Sequence, residues 1–439
     1  MEEITRIQRA GVVGAGGAGF PTHAKLNCRA GTVIANGAEC EPLLRVDQLL
    51  MEKYARRLVA GLEAAMAAVG ADTGVIATKR HYSGAVAALR EAVGGKPRLR
   101  LHLMKSYYPA GDEKSLIHEV LGRVVPGGRL PADVGCVVSN VGTLIGVADG
   151  MEGKPVTHKH LTVGGAVENP VTLCAPIGTP IRQLIRLAGL PGDEGDYALI
   201  AGGPCMGKLE EDWDAGITKT TGGLLLFPRL HPVIQSRTMP LARQIKLARA
   251  VCCQCSQCTL MCPRNGLGLG VEPHKAMRAA GGGNPRLLGD VDGILSCSGC
   301  GLCSNYACTM GLQPSRIMTM LREELIREEV CPRPREHVEA DPGCRLRQVP
   351  VSRLIARMGL SEYDRPAPLL EEPVTTGQVR IPLSMHVGKP SLPVVRVGDD
   401  VRAGDRIADI PVNALGAAVH ASIDGRVTGI TSDYIEITG

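Results

Sequence analysis

The sequence predicts a multidomain protein of mixed α/β and α+β class, and three observations support this. The chain has 439 residues, a length that corresponds to about three domains. Two blocks of closely spaced cysteines lie between residues 252 and 308. Before them, short apolar runs end in Gly-rich or acidic loops, which is typical of the strands of an α/β domain. After residue 373, strand-like runs alternate with turn residues, which favours a small β domain.

The first cysteine block has the spacing C-x2-C-x2-C-x3-C-P and runs from Cys252 to Pro263, matching bacterial ferredoxins without a mismatch. At this spacing three thiolates bind one cubane cluster, and the fourth, followed by proline, binds the sister cluster. The second block repeats the C-x2-C-x2-C core. The sequence therefore predicts one 4Fe–4S cluster on Cys252, Cys255, Cys258 and Cys308, and another on Cys297, Cys300, Cys303 and Cys262.

The second block departs from the ferredoxin pattern. Four residues separate Cys303 from Cys308, where three are usual, and Thr309 stands where proline is usual. Cys253 is predicted to be a spare thiol, because its neighbours already complete the pattern. The alternative is a zinc site, but zinc takes four ligands in two pairs, not two triplets that are each followed by a fourth thiol. A disulfide framework is disfavoured, because a chain of this length does not need cross-links.

Composition narrows the function classes. Charge is near balance, with 49 Lys and Arg against 44 Asp and Glu, and only 3% of residues are aromatic, which disfavours a nucleic-acid partner. Sixteen cysteines, several of them cluster ligands, predict a reducing, cytoplasmic environment. The sequence contains no run of about 18 apolar residues, so no membrane span is predicted. Residues 1–4 are acidic and lack the apolar stretch of a secretory signal.

The N-terminal region begins with a predicted short helix over residues 2–10, which Gly11 ends. We interpret this helix as a strut for the next loop, with a microcompartment-targeting helix as the alternative. Residues 14–22 then contain G-x-G-x-x-G, but the strand that a Rossmann site requires before it is too short. Such a loop still lets backbone N–H groups approach a phosphate or a flat ring, whereas the plain alternative is a flexible turn.

Polar groups follow several predicted strands and precede a helix. A buried strand over 32–35 ends in Asn36 and an acidic stretch, and a second strand is predicted over 137–143. Residues 107–114 precede a helical pattern. Each segment alone is also compatible with a capped turn. Because ligands of α/β folds bind at the carboxyl ends of strands, the segments together predict a binding edge.

In order along the chain, these motifs resemble the NADH-binding flavin subunit of respiratory complex I and its relative RnfC. The matching stretches are Gly17 to Thr22 with Lys25, then Asn36-x-x-Glu39-x-Glu41-Pro42, Gly111-Asp112-Glu113 and Ser139-Asn140-Val141. The resemblance implies that NADH stacks near Phe20, with Glu41 and Glu113 near its ribose or nicotinamide. It implies that FMN is held by Gly14, Gly16, Lys25, Asn36, Gly111 and Asn140. Further candidates from the same motifs are Gly17, Gly19, Glu39, Asp112 and Ser139.

Two positions differ from that family or have no assigned role. The family has an acid where this chain has Ala38, which leaves one flavin contact unassigned. Cys40, close to the predicted flavin, is interpreted as a small packing residue.

The central region has a different pattern. A β-hairpin with glycine turns is predicted over 161–170, a helix over 179–187 and a strand over 198–203. The pattern resembles the β-grasp (SLBB) module that accompanies the flavin domain in the same proteins. We interpret it as a scaffold between flavin and cluster, with a corrinoid-docking module as the alternative.

A helix is predicted after Pro240, an amphipathic helix over 314–329, and a connector over 331–372 with a helix over 352–358. The tail resembles the barrel-sandwich hybrid of RnfC. No lysine follows Lys389, so covalent lipoate or biotin is excluded. The predicted domains are 1–155 (FMN and NADH), 156–235 (β-grasp), 240–330 (two-cluster ferredoxin-like), 331–372 (connector) and 373–439 (barrel-sandwich hybrid).

This domain order resembles the PduS-type cobalamin reductases of bacterial microcompartments. The resemblance implies an oxidoreductase that passes electrons from NADH through FMN and two 4Fe–4S clusters to an external acceptor, a corrinoid. It also implies an adenosyltransferase or a microcompartment shell as partner, and no side chain need act as a nucleophile. One alternative is an RnfC-like electron-input subunit of a larger complex. Another is a ferredoxin-like relay that has lost NADH, which the presence of Phe20, Glu41 and Glu113 disfavours.

Overall fold

The computed structural model describes residues 2–439, and the α/β fold predicted for the N-terminal part is confirmed. Its helices and strands alternate along the chain, as a parallel sheet requires. They are α1 Glu2–Arg9, α2 Thr22–Lys25, β1 Thr32–Gly37, α3 Val46–Lys53, α4 Ala55–Val69, β2 Thr73–Lys79, α5 Ser83–Val93, β3 Leu99–Met104, β4 Tyr107–Tyr108, α6 Glu113–Leu121, β5 Cys136–Asn140 and α7 Val141–Met151.

The main N-terminal sheet has the strand order β3-β2-β1-β5, and all its neighbouring strands are parallel. Asn36 at the end of β1 pairs with Asn140 at the end of β5, so the two asparagines meet at one edge. Apolar side chains of α4 and α7 pack together on one face, and those of α6 lie on the other. Both faces are thus covered, which explains the apolar runs of the central strands β1 and β5, whereas the edge strand β3 also contains Arg100 and His102.

One predicted boundary in this sheet was wrong. The strand that we expected to continue to residue 143 ends at Asn140, and α7 begins at Val141. The cause is a helix cap: the Asn140 side-chain oxygen accepts a hydrogen bond from the Gly142 N–H at 2.8 Å. Asparagine is among the preferred residues for this position.

The central region forms a five-stranded mixed sheet with the order β7-β6-β10-β8-β9. A hairpin is present as the antiparallel pair β6 and β7, but the predicted bounds were wrong: residues 161–170 contain only the end of β6 and the loop, and β7 begins at Val171. The predicted strand over 198–203 ends at Ala201, and Gly202 turns with a φ of 104°. The elements are β6 His158–Gly165, β7 Val171–Pro176, α8 Ile181–Leu187, β8 Tyr197–Ala201, β9 Lys208–Glu210, β10 Gly223–Pro228 and α9 Pro232–Thr238.

The cysteine-rich region is helical, with short helices between the cysteine blocks. Between Cys303 and Cys308 the chain forms a π-helical turn, in which the Cys308 N–H donates to the Cys303 carbonyl oxygen at 3.1 Å. A π turn contains one residue more than an α turn. This explains the four-residue spacing that departs from the ferredoxin pattern. The helices are α10 Leu241–Val251, α11 Gln257–Leu260, α12 Pro263–Gly266, α13 Pro273–Gly282, α14 Val291–Leu295 and α15 Pro314–Arg327.

The connector returns to the N-terminal domain. Its strand β11, Val349–Pro350, pairs antiparallel with β4, so that Val349 lies opposite Tyr108. The predicted helix follows as α16, Val351–Arg357, and ends before Gly359, which has a φ of 69°. The connector thus supports the segment from which the Gly111 loop begins.

The C-terminal region is a small β fold, as predicted. Its two sheets have the strand orders β12-β18-β17-β14 and β13-β15-β16, and they share one apolar core. The domain boundaries given above remain predictions. No helix within residues 2–439 is long and apolar enough to cross a membrane. The strands are β12 Gln378–Pro382, β13 Leu392–Pro393, β14 Asp400–Val401, β15 Arg406–Asp409, β16 Val419–His420, β17 Gly425–Ile430 and β18 Tyr434–Thr438.

Lys219 links the first and last domains. Its buried ammonium donates to the carbonyl oxygens of Gly11 and Ala418, each at 2.7 Å. Burial lowers the pKa of Lys219 from 10.5 to about 7. Between these two pH values the unfolded chain therefore binds more protons at this site than the folded chain.

We therefore expect the stability contribution of Lys219 to rise from about pH 7 to about pH 9, because folding releases a proton from this site in that range. Anaerobic melting of the holoprotein at both pH values measures this. The rise in melting temperature should be smaller in Lys219→Met than in the wild type. Lys246→Met is the control, because Lys246 is exposed. An identical rise in Lys219→Met and wild type would contradict the assignment.

Candidate functional site

A cavity of about 1340 Å³ lies where the N-terminal sheet edge, the β-grasp region and the cysteine-rich region meet. Its volume exceeds the roughly 300–1000 Å³ of typical ligand pockets, so two nucleotides fit side by side. Two cysteines of the second predicted cluster, Cys297 and Cys300, are part of its wall. The predicted cofactor residues that line it are Gly16, Gly17, Asn36, Glu39, Glu41, Gly111, Asp112, Glu113 and Asn140.

The other five predicted cofactor residues lie close to this wall without forming it. The Gly14 N–H donates to the Phe20 carbonyl oxygen at 3.0 Å, which closes the glycine loop. Phe20 is 41% exposed. Gly19 has a φ of 72°, and a Cβ there would lie 2.8 Å from the Met385 carbonyl oxygen of the C-terminal domain. The cofactor roles of these five residues, which include Lys25 and Ser139, remain predictions.

Two asparagines fix the loops at the sheet edge. Asn36 donates to the Gly111 carbonyl oxygen at 3.0 Å and accepts from the Ala38 N–H at 3.1 Å. Asn140 donates to Asp47 at 2.7 Å while its oxygen caps α7. Both amides thus use a donor and an acceptor atom within the protein: Asn36 holds two backbone groups, and Asn140 holds one backbone N–H and the Asp47 carboxylate.

The glycine loop forms an open cradle over this edge. The Ala15 N–H donates to the Thr143 hydroxyl, and its carbonyl oxygen accepts from the Lys159 ammonium, both at 2.8 Å. A Cβ at Gly16 would lie 2.7 Å from the Asn140 amide nitrogen, whereas a Cβ at Gly17 meets nothing within 4 Å. The sequence at these positions keeps backbone accessible to a ligand.

Four charged side chains lie beneath the cradle, and sequence reasoning identified only Glu39. The Lys79 ammonium donates to the Glu39 carbonyl oxygen at 2.8 Å. Burial, together with the charge of Glu39, raises the pKa of Asp47 to about 8, and burial lowers the pKa of Lys159 to about 8. Because acids and lysines balance here, the cavity floor is polar with little net charge. Lys79 is the last residue of β2 and Asp47 lies in the first turn of α3, and these positions at element ends are the sequence signal that could have indicated them.

Glu41 is held by donors from the β-grasp region. Its carboxylate accepts from the N–H groups of Cys205 and Met206, at 2.9 and 3.1 Å, and from the Tyr108 hydroxyl at 3.2 Å. Tyr108 also lies 2.6 Å from the Cys300 carbonyl oxygen. Burial raises the pKa of Glu41 to about 7. Glu41 therefore joins the N-terminal domain to the β-grasp region and, through Tyr108, to the cysteine-rich region, contacts that the sequence did not indicate.

Glu113 has a different environment. It pairs with Lys25 at 2.8 Å, and both side chains are partly exposed. The pair lies at the start of α6, beside the Gly111 loop. Of the two acids that the resemblance places near the nicotinamide, Glu113 thus has the simpler network. The adjacent prediction, Ser139, is buried on β5, with no hydrogen-bond partner for its hydroxyl among the described residues.

A buried ion pair connects the cavity to the second cysteine set. Arg264 approaches the Asp112 carboxylate with two nitrogens, at 2.6 and 3.2 Å, and donates to the Ser296 carbonyl oxygen at 2.8 Å. Burial by itself raises the pKa of Asp112, but the Arg264 guanidinium outweighs it, so the pKa lies below 3.8. Arg264 was missed by sequence reasoning, although it follows Cys262-Pro263 directly.

The first cysteine set lies near the surface. Burial, and then the negative charges of Cys308, Cys252 and Cys255, raise the pKa of Cys258 to about 11, so these four thiols are neighbours. Cys255 and Cys253 are exposed. Gln254 has a φ of 57° and donates to the Cys252 sulfur at 3.2 Å. A left-handed turn of this kind directs hydrogen-bond donors towards a bound anionic cluster.

The second set is more deeply buried. Burial raises the pKa of all four thiols, that of Cys300 to about 11, and the charges of Cys297, Cys300 and Cys262 add to the effect on Cys303. The negative charge of Cys258 also raises the pKa of Cys303, so the two sets adjoin. The Gly299 N–H lies 3.5 Å from the Cys297 sulfur. No group of three or more His, Cys, Asp or Glu in residues 2–439 has the arrangement that holds a single metal ion.

These donor sets fit 4Fe–4S clusters, because each brings four thiols together, and four cysteine thiolates are what a 4Fe–4S cluster requires. The cavity fits FMN and NADH, because the cradle leaves backbone open at Gly16 and Gly17 and the volume admits both nucleotides. Each residue assignment within these sites remains a prediction.

Four family models match the chain in consecutive segments. They are the Nuo51 FMN-binding domain over 7–149, the SLBB domain over 161–209, the 4Fe-4S dicluster domain over 251–313, and the RnfC barrel-sandwich hybrid domain over 367–438. The predicted cofactors, FMN and two 4Fe–4S clusters, are those that these domain families carry.

Three relatives illustrate the similarity. The cobalamin reductase PduS of Salmonella typhimurium is 44% identical over 98% of this chain and 95% of its own length. That of Citrobacter freundii is 42% identical over the same shares. One component of the Na⁺-translocating ferredoxin:NAD⁺ oxidoreductase complex of Acetobacterium woodii is 38% identical over 58% of this chain and 56% of its own length.

Proposed function

The chain belongs to the PduS cobalamin reductase family, and on this premise we propose that it passes electrons from NADH through FMN and two 4Fe–4S clusters to a corrinoid. The observation that carries the proposal is the shared cavity. Its wall contains the flavin-type motifs on one side and Cys297 and Cys300 on the other. The nucleotides and the cluster on Cys297 and Cys300 can thus lie next to one another without any movement of a domain.

The chemistry requires a carrier between NADH and iron. NADH gives two electrons as a hydride, a 4Fe–4S cluster takes one at a time, and bound FMN supplies both modes. The protein's own part is to bind and orient. The glycine cradle, Asn36 and Asn140 would hold the flavin, and Glu113 with Lys25 would face the nicotinamide side. Two acids, Glu39 and Asp47, are matched by two lysines, Lys79 and Lys159. Together they keep this side of the cavity polar without strong net charge.

The positions of the cysteine sets imply an order of electron transfer. Cys297 and Cys300 line the cavity, so the second set receives electrons first. The first set adjoins it through Cys303 and Cys258 and reaches the surface at Cys255. The surface set is therefore the exit to the acceptor.

Gly16→Ala tests the flavin part of this proposal. The added methyl would lie 2.7 Å from the Asn140 amide, so the loop or the cap of α7 must move. We expect clear loss of FMN from the purified protein while its iron content stays unchanged. Gly17→Ala, in the same loop, meets no protein atom within 4 Å and should retain more FMN. Equal FMN in Gly16→Ala and wild type would contradict the placement of the flavin.

The corrinoid part is tested by anaerobic assay with NADH and hydroxocobalamin. The spectrum of cob(II)alamin should appear at a rate that depends on intact clusters. Adenosylcobalamin should accumulate only when an adenosyltransferase is added, and this enzyme is the partner that we propose. We also propose a cytoplasmic or microcompartment location. Brisk reduction of ferricyanide without reduction of hydroxocobalamin, even with that partner, would overturn the assignment.

A second candidate is supported by the similarity to the component of the Acetobacterium woodii complex. In that case the chain would be an electron-input subunit that docks on a larger complex. The flavin and cluster chemistry would be the same. A stable complex with membrane-bound subunits, without corrinoid reduction, is the result that would favour it.

A further inference from the structure

We propose that the surface around the first cysteine set is a docking face for an acidic electron-accepting protein. The inference rests on the proposed function in one respect, namely that electrons leave the chain at this set. It adds the kind of partner that collects them. We call this surface the exit face and define it by the exposed side of α10, the exposed thiols and the neighbouring end of α16.

The exit face is basic. No Asp or Glu occurs in α10, the helix that leads into Cys252, whereas Arg243, Lys246 and Arg249 are exposed on it. Arg243 and Lys246 are three residues apart and so lie on the same side of the helix.

A second element brings further positive charge to the same cluster. Arg357, exposed on α16, donates to the Cys308 carbonyl oxygen at 3.3 Å. Arg353, one turn earlier on α16, is also exposed. Because α16 packs against the π-helical turn before Cys308, two helices, α10 and α16, bring positive groups close to cysteines of the first set.

Apolar side chains lie between these charges. Leu247 and Val251 on α10 are 38% and 39% exposed, and Leu260 and Met310, next to the cysteine blocks, are 53% and 49% exposed. The opposite side of α10, with Gln244 and Ala248, is buried. Exposed apolar side chains together with charges are the composition of a transient protein interface, and the exposed Cys253 and Cys255 follow α10 directly in the chain.

The positive charge of the exit face distinguishes between acidic and basic protein partners. A basic face attracts an acidic partner, accelerates its encounter at low salt and repels a basic one. Each productive encounter would move one electron from the reduced cluster at the first set to the acceptor, so no other reactant is needed. The partner is therefore a protein that accepts one electron at a time and has acidic groups around its redox centre.

The test uses two probe proteins of opposite charge, the acidic flavodoxin and the basic cytochrome c. Binding of each to the oxidised holoprotein is measured by calorimetry at low and high salt, together with NADH-driven reduction. Flavodoxin should bind at low salt and lose affinity as salt rises, since screening at 0.15 M acts over about 8 Å. Cytochrome c reduction should instead be slow at low salt and rise with salt.

The double variant Arg243→Glu/Lys246→Glu should lower the flavodoxin rate and affinity by about 10-fold or more, within the range of steered association, and speed up cytochrome c. Arg396→Glu/Arg402→Glu, on the exposed surface of the C-terminal domain, makes the same change in net charge and should alter neither.

Flavodoxin affinity that is the same in the double variant and wild type, or that falls equally in the control, would overturn the docking face. Ferricyanide reduction reports whether NADH and flavin still work, and hydroxocobalamin reduction reports on the corrinoid. Failure of hydroxocobalamin reduction with charge-dependent flavodoxin binding would reject the proposed function and leave the docking face standing.

Discussion

Replacing Cys255 by serine is expected to remove the first cluster and to stop electron delivery to external acceptors. Iron should fall from about eight atoms per chain to about four, because two cubanes become one. FMN should stay, and NADH should still reduce the second cluster, because, of the eight predicted cluster cysteines, only Cys297 and Cys300 of that set line the cavity. Iron analysis and low-temperature EPR of the dithionite-reduced protein measure the loss.

Cys253→Ser is the matched control, since Cys253 is also exposed and lies two residues away. It should change neither the iron content nor the EPR signals. If Cys253→Ser removes a cluster, the first motif has been assigned with a shift of one residue. If Cys255→Ser loses both clusters, the sets do not form independently.

Asp112→Asn is expected to cause the second large effect, by leaving the buried Arg264 guanidinium without its counter-ion. Side-chain exposure is only 15% for Arg264 and 7% for Asp112. Breaking a buried pair by removing one partner costs about 3–5 kcal/mol. Because Arg264 also donates to the Ser296 carbonyl oxygen, the residue before Cys297, the second cluster should be lost or altered with it. Anaerobic chemical unfolding and EPR measure both effects.

Glu324→Gln serves as the control, because its pair with Arg327 is exposed and should contribute little. The contribution of the Asp112 pair has a defined pH dependence. The folded-state pKa of Asp112 lies below its ordinary 3.8, so the stabilisation is present above that value and is lost as the pH falls through the folded pKa. Equal stability of Asp112→Asn and wild type would show that the pair is not needed.

The sequence predicts the parts of this molecule that depend on spacing. The cysteine blocks, the strand predicted over 32–35 and the glycine loop are local patterns, and their chemistry follows from residues close in sequence. The N-cap of α7 could also have been inferred, because asparagine is a preferred capping residue. The apolar run before Asn140 instead favoured a longer strand.

The contacts that join domains could not be predicted in this way. Glu41 binds the N–H groups of Cys205 and Met206, which lie 164 and 165 residues away. Arg264 and Asp112 are 152 residues apart. A buried charge is tolerated only with a partner, and a single sequence does not tell which of many distant candidates supplies it. The π-helical turn before Cys308 is a similar case, since the extra residue is visible in the sequence but its backbone conformation is not.

The most direct test of the central claim is the order in which NADH reduces the two clusters. Rapid-freeze EPR of wild-type protein mixed anaerobically with NADH should show first the signal that Cys300→Ser lacks, and afterwards the signal that Cys255→Ser lacks. In Cys300→Ser the first-set signal should no longer form on this timescale, although FMN is still reduced. If the first-set signal forms earlier, or forms as fast in Cys300→Ser as in wild type, electrons do not pass from the cavity through the second set, and the proposed path is wrong.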